Sequence, residues 1–255
     1  MVSGASRGIG RATAVTLAAE GASVLLLGRG EQSLAQVARE CDDAGGRPET
    51  LAIDIAEPDA GARVLGECLE RFGRIDALVN NAGISSVRSL EQLTDADWQE
   101  HWDLNVMAPM RLMRAAAPAM ARQGWGRIVN VSSSSGKRPG RRNMAYSVTK
   151  AAELSLSRAF ADQFASEGVL VNAITPGPVG TGLWMAPGGL ADQVAEAQGI
   201  SREEALAATA RGVPVGRLGT DQEIAAVIAF LCSEAASYVT GAAWSVDGGI
   251  VPVII

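Results

Sequence analysis

Short runs of Val, Leu, Ile and Ala alternate with longer amphipathic stretches along nearly the whole chain, and this rhythm constrains the fold more than any other feature. The runs Ser23–Leu27, Glu49–Ile53, Ala77–Val79, Arg127–Val131, Leu170–Ile174 and Ala243–Val246 read as strands. Between them Arg11–Glu20, Gln32–Asp43, Asp59–Phe72, Asp95–Arg122, Met144–Ser166 and Asp221–Ser233 read as helices. Strands that alternate with helices are joined by crossovers; they lie parallel, and helices cover both faces of the sheet. The expectation is an α/β fold, a doubly wound Rossmann-type parallel sheet of about seven strands. Only 4% of the chain is aromatic against 47% hydrophobic overall, so the core has to be aliphatic, as buried parallel strands are. No repeat, low-complexity tract or linker divides the 255 residues, and a single domain over 1–255 is expected.

The rhythm breaks between about 182 and 212. Trp184, Met185, Pro187, Gly188 and Gly189 are followed there by a polar helical stretch with a start signal, Ser201-Arg202-Glu203-Glu204. The segment reads as an insertion over one edge of the sheet, a small substrate lid.

Several classes are excluded on composition. Acidic residues outnumber basic ones, 28 to 22, and a net charge of -6 lacks the basic surplus that nucleic-acid binding draws on. Cys41, Cys68 and Cys232 are odd in number and far apart, which suggests neither disulfides nor a thiolate metal site and fits a reducing, cytoplasmic location. The lone His101 sits in a helical segment as an ordinary histidine, and no metal is expected. The start, Met1-Val2-Ser3-Gly4, has no secretory signal pattern. The uncharged stretch 168–191 contains Pro176, Pro178 and Pro187, which break a helix, so no membrane association is expected.

Two constellations carry chemistry. Ser3-Gly4-Ala5-Ser6-Arg7-Gly8-Ile9-Gly10 lies between a strand end and a helix start. Glycines there let the backbone turn sharply and approach a pyrophosphate, which free amides and the helix dipole stabilise. The spacing Gly4, Gly8, Gly10 differs from the common GxGxxG, and by itself it is also compatible with a plain glycine turn. The second is Tyr146-Ser147-Val148-Thr149-Lys150, whose i,i+4 spacing puts both side chains on one helix face. In a chain with two tyrosines and two lysines, such a pair arises by chance only roughly 0.02 times. The run Ser132-Ser133-Ser134-Ser135 after an apolar strand adds hydroxyls nearby.

With Asp54-Ile55, Asn80-Asn81-Ala82-Gly83, Leu104-Asn105-Val106, Pro176-Gly177, Val213-Pro214-Val215-Gly216-Arg217 and Asp247-Gly248-Gly249 added in order, the chain resembles the short-chain dehydrogenase/reductase family. The likeness is to its compact single-domain branch, which includes the 3-oxoacyl-carrier-protein reductases, and covers almost the whole length. The resemblance implies an NADP(H)-dependent oxidoreductase that moves a hydride between nicotinamide and a carbonyl or secondary alcohol, with a 3-oxoacyl thioester among the candidate substrates. Tyr146 matches the family's proton donor or acceptor, Lys150 the lysine on the nicotinamide ribose, and Asn105 the asparagine of a water-linked proton relay. Ser133 matches the hydroxyl that orients the substrate carbonyl, with Ser132 and Ser134 as the alternatives. For the coenzyme, the resemblance implies Gly4, Ser6, Arg7, Gly8, Ile9 and Gly10 at the pyrophosphate and Asp54 and Ile55 at the adenine. Asn81, Ala82 and Gly83 are implied beside the adenosine ribose. Pro176, Gly177, Val179 and Thr181 are implied along the nicotinamide.

A free tyrosine titrates near pH 10, so service as a base near neutrality requires adjacent positive charge, which Lys150 and an oxidised nicotinamide provide. At the end of the second strand Gly28-Arg29 stands where a carboxylate would bind the ribose diol of NAD(H). Arg29 and Arg7 are instead suited to a 2′-phosphate, so NADP(H) is expected, with NAD(H) the weaker fit. Lys137, Arg138, Arg141 and Arg142 form a basic stretch, either a rim that attracts an anionic carrier or a solvated loop. Trp184 and Met185 are candidates for an apolar pocket under the lid. A homotetramer or homodimer built partly on the long helices is implied by the family, and the apolar tail 250–255 agrees with it. The different class to set beside the enzyme is a non-catalytic NADP(H)-sensing or scaffold protein on the same fold; epimerisation or dehydration would call for a longer chain. One departure stands out: only Met1, Val2 and Ser3 precede Gly4 where the family has a full central strand, so the strand looks truncated, and either the true start lies upstream of Met1 or the neighbouring strands lose ladder hydrogen bonds and the loop is poorly anchored.

Overall fold

The structure, a computed structural model, describes residues 1–252. In chain order its elements are β1 (Val2–Ser3), α1 (Gly8–Ala19), β2 (Ser23–Gly28), α2 (Glu31–Asp43), β3 (Arg47–Ala52), α3 (Ala60–Phe72) and β4 (Ala77–Asn80). Then come α4 (Asp95–Trp102), α5 (Ala108–Gln123), β5 (Gly126–Val131), α6 (Ser134–Lys137), α7 (Met144–Phe164) and β6 (Val169–Pro176). The chain goes on through α8 (Gly182–Met185), α9 (Leu190–Gln198), α10 (Arg202–Arg211), α11 (Asp221–Leu231) and β7 (Ala243–Val246). The strands form one seven-stranded parallel sheet in the order β3-β2-β1-β4-β5-β6-β7.

The sequence of β2 shows why both faces are covered. Val24, Leu25, Leu26 and Leu27 are all buried, and alternate residues point to opposite faces. Leu25 and Leu27 join Leu78 and Ile128 against Val64 of α3, Leu112 and Met113 of α5 and Phe164 of α7. Val24 and Leu26 join Val79, Val129 and Ile174 against Ala14 of α1, Leu34 and Val37 of α2, and Ile224 and Ile228 of α11.

Two expectations need correction. The central strand β1 is only two residues long, yet the loop after it is firmly held. The Ser3 hydroxyl accepts the amides of Asn81 (3.0 Å) and Ala82 (3.1 Å), and the Asn81 side-chain amide donates to the carbonyls of Ser3 (3.0 Å) and Gly4 (3.2 Å). The Met1 carbonyl accepts from Val79 N at 2.9 Å, continuing the ladder by one bond. The single helix expected over Asp95–Arg122 is in fact two, separated by a π-helical turn at Asp103–Met107. Such a widened turn re-aims side chains, and Asn105 lies within it. The expected start signal at Ser201 is a capping box: its hydroxyl accepts from Glu204 N while Glu204 accepts from Ser201 N.

Three buried thiols, Cys41, Cys68 and Cys232, are unbridged. His101 is buried, its Nδ1 2.8 Å from the Asp97 carbonyl. No helix among the described residues is long and apolar enough to cross a membrane. Of the apolar tail, Val251 is buried within this chain and donates its amide to Asp247; residues 253–255 lie outside the described residues.

Candidate active site

Neighbouring strands β1 and β4 are the point where the strand order reverses, which opens a crevice at the carboxyl ends of a doubly wound sheet. A cleft of about 440 Å³ occupies it. At one end lie Gly4, Ser6, Arg7, Gly8 and Ile9. Gly4 (φ 63°) and Gly8 (φ 53°) are left-handed, and a Cβ on Gly4 would come 2.9 Å from the Ala82 Cα. Only glycine makes this turn without strain. Helix α1 begins at that turn with no side-chain cap and no acidic residue in its first turn, so its free amides and dipole face the cleft unopposed. Arg29, Asp54, Ile55, Asn81 and Ala82 line the cleft with them, and Gly83 leads on toward Lys150. Arg7 and Arg29 are both exposed there, and neither has a carboxylate partner among the described residues. These features fit a dinucleotide: an anion-binding helix end, a floor that only glycine allows, and two free guanidinium groups. Gly10 departs from its expected place, because it is buried behind the loop and does not line the cleft.

The same cleft gathers Ser133, Tyr146 and Lys150, with Pro176, Gly177 and Val179 along the wall and Thr181 packed against Gly8. The three adjacent serines differ in what their hydroxyls do. Ser132 donates to the Lys150 carbonyl at 2.8 Å, which commits it to joining β5 to α7. Ser133 accepts from Ser135 N at 3.1 Å, capping α6, and its own proton is left to donate into the cleft. Ser134 is the first residue of α6 and also lines the cleft. Lys150 is buried, with Nζ 5.9 Å from the Tyr146 ring centre, and donates to the Val131 carbonyl and to Glu153 Oε2, each at 2.8 Å. Asn105 stands behind the cleft instead of lining it. Its amide oxygen accepts from Ile84 N (3.0 Å) and its nitrogen donates to Ile84 O and Thr149 Oγ1 (3.1 Å each). A Cβ on Gly83 would lie 3.0 Å from Asn105 Oδ1 and 3.6 Å from Lys150 Nζ, so these two groups converge on one bare stretch of backbone.

Over the cleft lie α8 and α9, supplying Leu183, Trp184 and Leu190 to its lining. Met185 does not join them; it is exposed toward a shallower hollow beside Leu206, Ala210 and Leu218. Gln193 of α9 accepts from Val87 N at 3.0 Å, tying the segment to the far wall. The basic stretch is largely spent on local structure. Lys137 donates to Ala243 O and Ser245 Oγ, Arg138 to Ile250 O, and Arg142 to Ala197 O. Arg7, Arg29, Asp54 and Lys150 are therefore the charged residues that line the cleft.

Comparison with known proteins agrees with this geometry. A family model of the short-chain alcohol dehydrogenase type, described as enoyl-(acyl carrier protein) reductase, matches residues 4–251. The chain is 39% identical over 250 residues to the short-chain reductase protein NovJ of Streptomyces niveus, covering 98% of this chain and 92% of that protein. The chain belongs to the short-chain dehydrogenase/reductase family. It is also 34% identical over 250 residues to the 3-oxoacyl-acyl-carrier-protein reductase FabG of Escherichia coli K12, covering 98% and 96% of the two chains. Among solved structures, L-sorbose reductase from Gluconobacter frateurii, complexed with NADPH and L-sorbose, superposes with a TM-score of 0.92 at 34% identity, over 99% of this chain and 96% of that one.

This short-chain dehydrogenase/reductase is an NADP(H)-dependent oxidoreductase of the carbonyl and alcohol pair. One residue at its centre escaped the sequence reading. Glu153 is 1% exposed and ion-paired with Lys150, and the only signal for it was an i,i+3 charge pair, which on a helix usually means a solvated face. Burial pushes the Glu153 carboxyl up to about 7, against the opposing pull of Lys150. Burial alone would lower Lys150, but the charges of Glu153 and Tyr146 and the hydrogen bond to Glu153 hold it above the ordinary lysine range.

Proposed function

We propose that this enzyme reduces an uncharged ketone to a secondary alcohol, or runs the reverse, with Tyr146 exchanging the proton and Ser133 hydrogen-bonding the substrate oxygen. The observation that carries this reading is one cleft lined both by an uncapped helix end with two arginines that have no carboxylate partner among the described residues and by Ser133, Tyr146 and Lys150. NADP(H), when bound, supplies or accepts the hydride. Arg7 and Arg29 hold its 2′-phosphate, the amides at Arg7–Ile9 its pyrophosphate, Asp54 and Ile55 its adenine, and Lys150 its nicotinamide ribose. The Ser133 hydroxyl donates to the oxygen as negative charge grows on it, a stabilisation that acts mainly in the transition state. Tyr146 gives its proton to the same oxygen, and the ammonium of Lys150 steadies the negative ring oxygen left behind. Asn105 keeps the turn at Gly83–Ile84 in register with α7, where a water-linked relay returns the proton.

The substrate end presents Ile84, Ser85, Asn143, Trp184 and Ile250 and, among the described residues, no charged side chain besides Lys150, which favours a neutral, moderately polar reacting group. The chain acts as a single domain over 1–255 with α8–α10 as its lid, works as a homodimer or homotetramer and resides in the cytoplasm.

The test is a screen of neutral ketones, sugars, steroid-like carbonyls and 3-oxoacyl thioesters while following NADPH absorbance. Oxidation of NADPH with at least one neutral ketone is expected. Tight NADPH binding without oxidation by any of them would make the chain a nucleotide sensor, and activity confined to thioesters would move the substrate class. A second measurement addresses the coenzyme. Arg29→Asp is expected to raise the KM for NADPH about 30-fold, from loss of roughly 2 kcal/mol of charge-assisted hydrogen bonding, and to lower that for NADH. Unchanged coenzyme preference would remove Arg29 from the phosphate site.

A further inference from the structure

Glu153 has no place in the reaction described above, yet it is among the most buried charged residues in the chain. It sits on α7 one turn beyond Lys150, and the two side chains are 2% and 4% exposed. Taking a carboxylate and an ammonium out of water costs several kcal/mol each, and apolar residues of similar volume often serve a core at least as well. Packing therefore gives no reason for a carboxylate at this position, whereas its one charged contact does. Lys150 has three N–H donors, of which Val131 O fixes one and Glu153 Oε2 a second. The remaining one is free toward the cleft.

We propose that Glu153 is a positioning residue for the Tyr146–Lys150 couple: paired with Nζ at 2.8 Å, it pins the ammonium against β5 and offsets its charge, so that Tyr146 works beside an ion pair instead of a bare cation. The surroundings leave this pair to itself. Of the elements packed on α7, β6 brings no titratable side chain. His101 of α4 is turned to the Asp97 carbonyl, Asp103 of the π-helical turn accepts from Gln99, and Lys137 of α6 reaches Ala243 and Ser245. Arg111 of α5 donates to the Ala56 carbonyl, and Arg127 of β5 lies over Trp125. Lys150 is the charge that acts on Glu153, and Glu153 and Tyr146 are those that act on Lys150.

The sign follows directly. An anion beside Lys150 opposes loss of a proton from the Tyr146–Lys150 couple as a unit, so the ionised carboxylate delays that loss to higher pH. Neutralising it should bring that loss forward. One charge several ångströms away, at an effective dielectric of about 20, moves a titration by on the order of one pH unit.

This inference rests on the proposed role of Tyr146 for its relevance to turnover, but its test does not. The chain has two tyrosines, and Tyr238 is fully exposed, so Tyr238→Phe leaves Tyr146 as the sole phenol with little effect on the fold. In that background, tyrosinate absorbance is titrated on the full chain without coenzyme or substrate. Glu153→Gln is expected to lower the midpoint by about one pH unit, and Glu153→Leu, which fills the space without a buried polar group, should move it the same way. Glu153→Asp, which restores the charge, should bring it back toward the parent. Folded Gln or Leu variants with an unmoved midpoint, or an Asp variant that shifts as far as Gln, would reduce Glu153 to a packing residue and overturn the proposal. A tyrosinate shift in a protein that turns over no carbonyl would count against the proposed function and leave the Glu153 inference standing.

Discussion

Replacing Tyr146 by phenylalanine is expected to lower kcat about a thousandfold while leaving the affinity for NADPH within about twofold, the range typical for removing a general acid or base. The ring stays, so its packing and its place 5.9 Å from Lys150 Nζ survive the change. Only the exchangeable proton is lost. Among the groups lining the cleft, Lys150 is held charged above the ordinary lysine range by Glu153, which makes it a weaker acid, and the hydroxyl of Ser133 is a far weaker acid still. Neither takes over the proton transfer. Steady-state kinetics together with a fluorescence titration of NADPH binding separates the two quantities. A variant that kept turnover within tenfold of the parent would transfer the proton to another group and undo the mechanism proposed for this cleft.

How much of this was legible beforehand depends on whether a feature has a period or a local signature. The strands and helices did, because a four-residue buried run such as Val24–Leu27 and the 3.6-residue spacing of α3 or α7 repeat often enough to be seen. A two-residue strand has no period, so β1 could be inferred only as a truncation, and its anchoring by Ser3 and Asn81 is a tertiary fact. The π-helical turn at Asp103–Met107 also leaves no trace in composition. It contains neither Gly nor Pro, and one extra residue in a turn does not disturb an apolar pattern read over such a short window.

Among site residues, Tyr146 and Lys150 were legible because their types are rare in this chain and their spacing has one meaning on a helix. The serine run could not be resolved by sequence, since four adjacent hydroxyls look alike. Hydrogen bonding separates them: Ser132 is spent on Lys150 O, and Ser133 is left with a free proton. Glu153 was hidden for the opposite reason. A Lys and a Glu three apart on a helix look like a solvated pair, and only the packing of β5 and β6 against α7 makes them a buried one. The glycine loop was legible as a sharp turn before a helix, but the glycines within it divide their work in a way that only three dimensions reveal.

That division predicts the second large effect. Gly10→Ala is expected to destabilise the protein by about 3 kcal/mol, lowering Tm by roughly 6–12 °C, and to weaken NADPH binding although Gly10 touches no part of the cleft. The residue is helical and has no positive φ, so backbone strain is not the cause. Contact is. The added Cβ would lie 2.3 Å from the Gly4 carbonyl oxygen and 2.5 Å from Asn81 Nδ2. A flexible side chain could swing away, but the Gly4 carbonyl belongs to a left-handed turn that Asn81 itself holds. Relief therefore requires α1 to shift away from β1, carrying with it the free amides at Arg7–Ile9 that are proposed to bind the pyrophosphate. Gly66→Ala is the control: it lies inside α3 with no atom within 4 Å of the new Cβ, and the higher helix propensity of alanine should stabilise by up to about 1 kcal/mol. Calorimetry of both variants without coenzyme decides the matter. Equal melting temperatures for Gly10→Ala and the parent would mean that the turn and the helix are not locked together through Gly4 and Asn81.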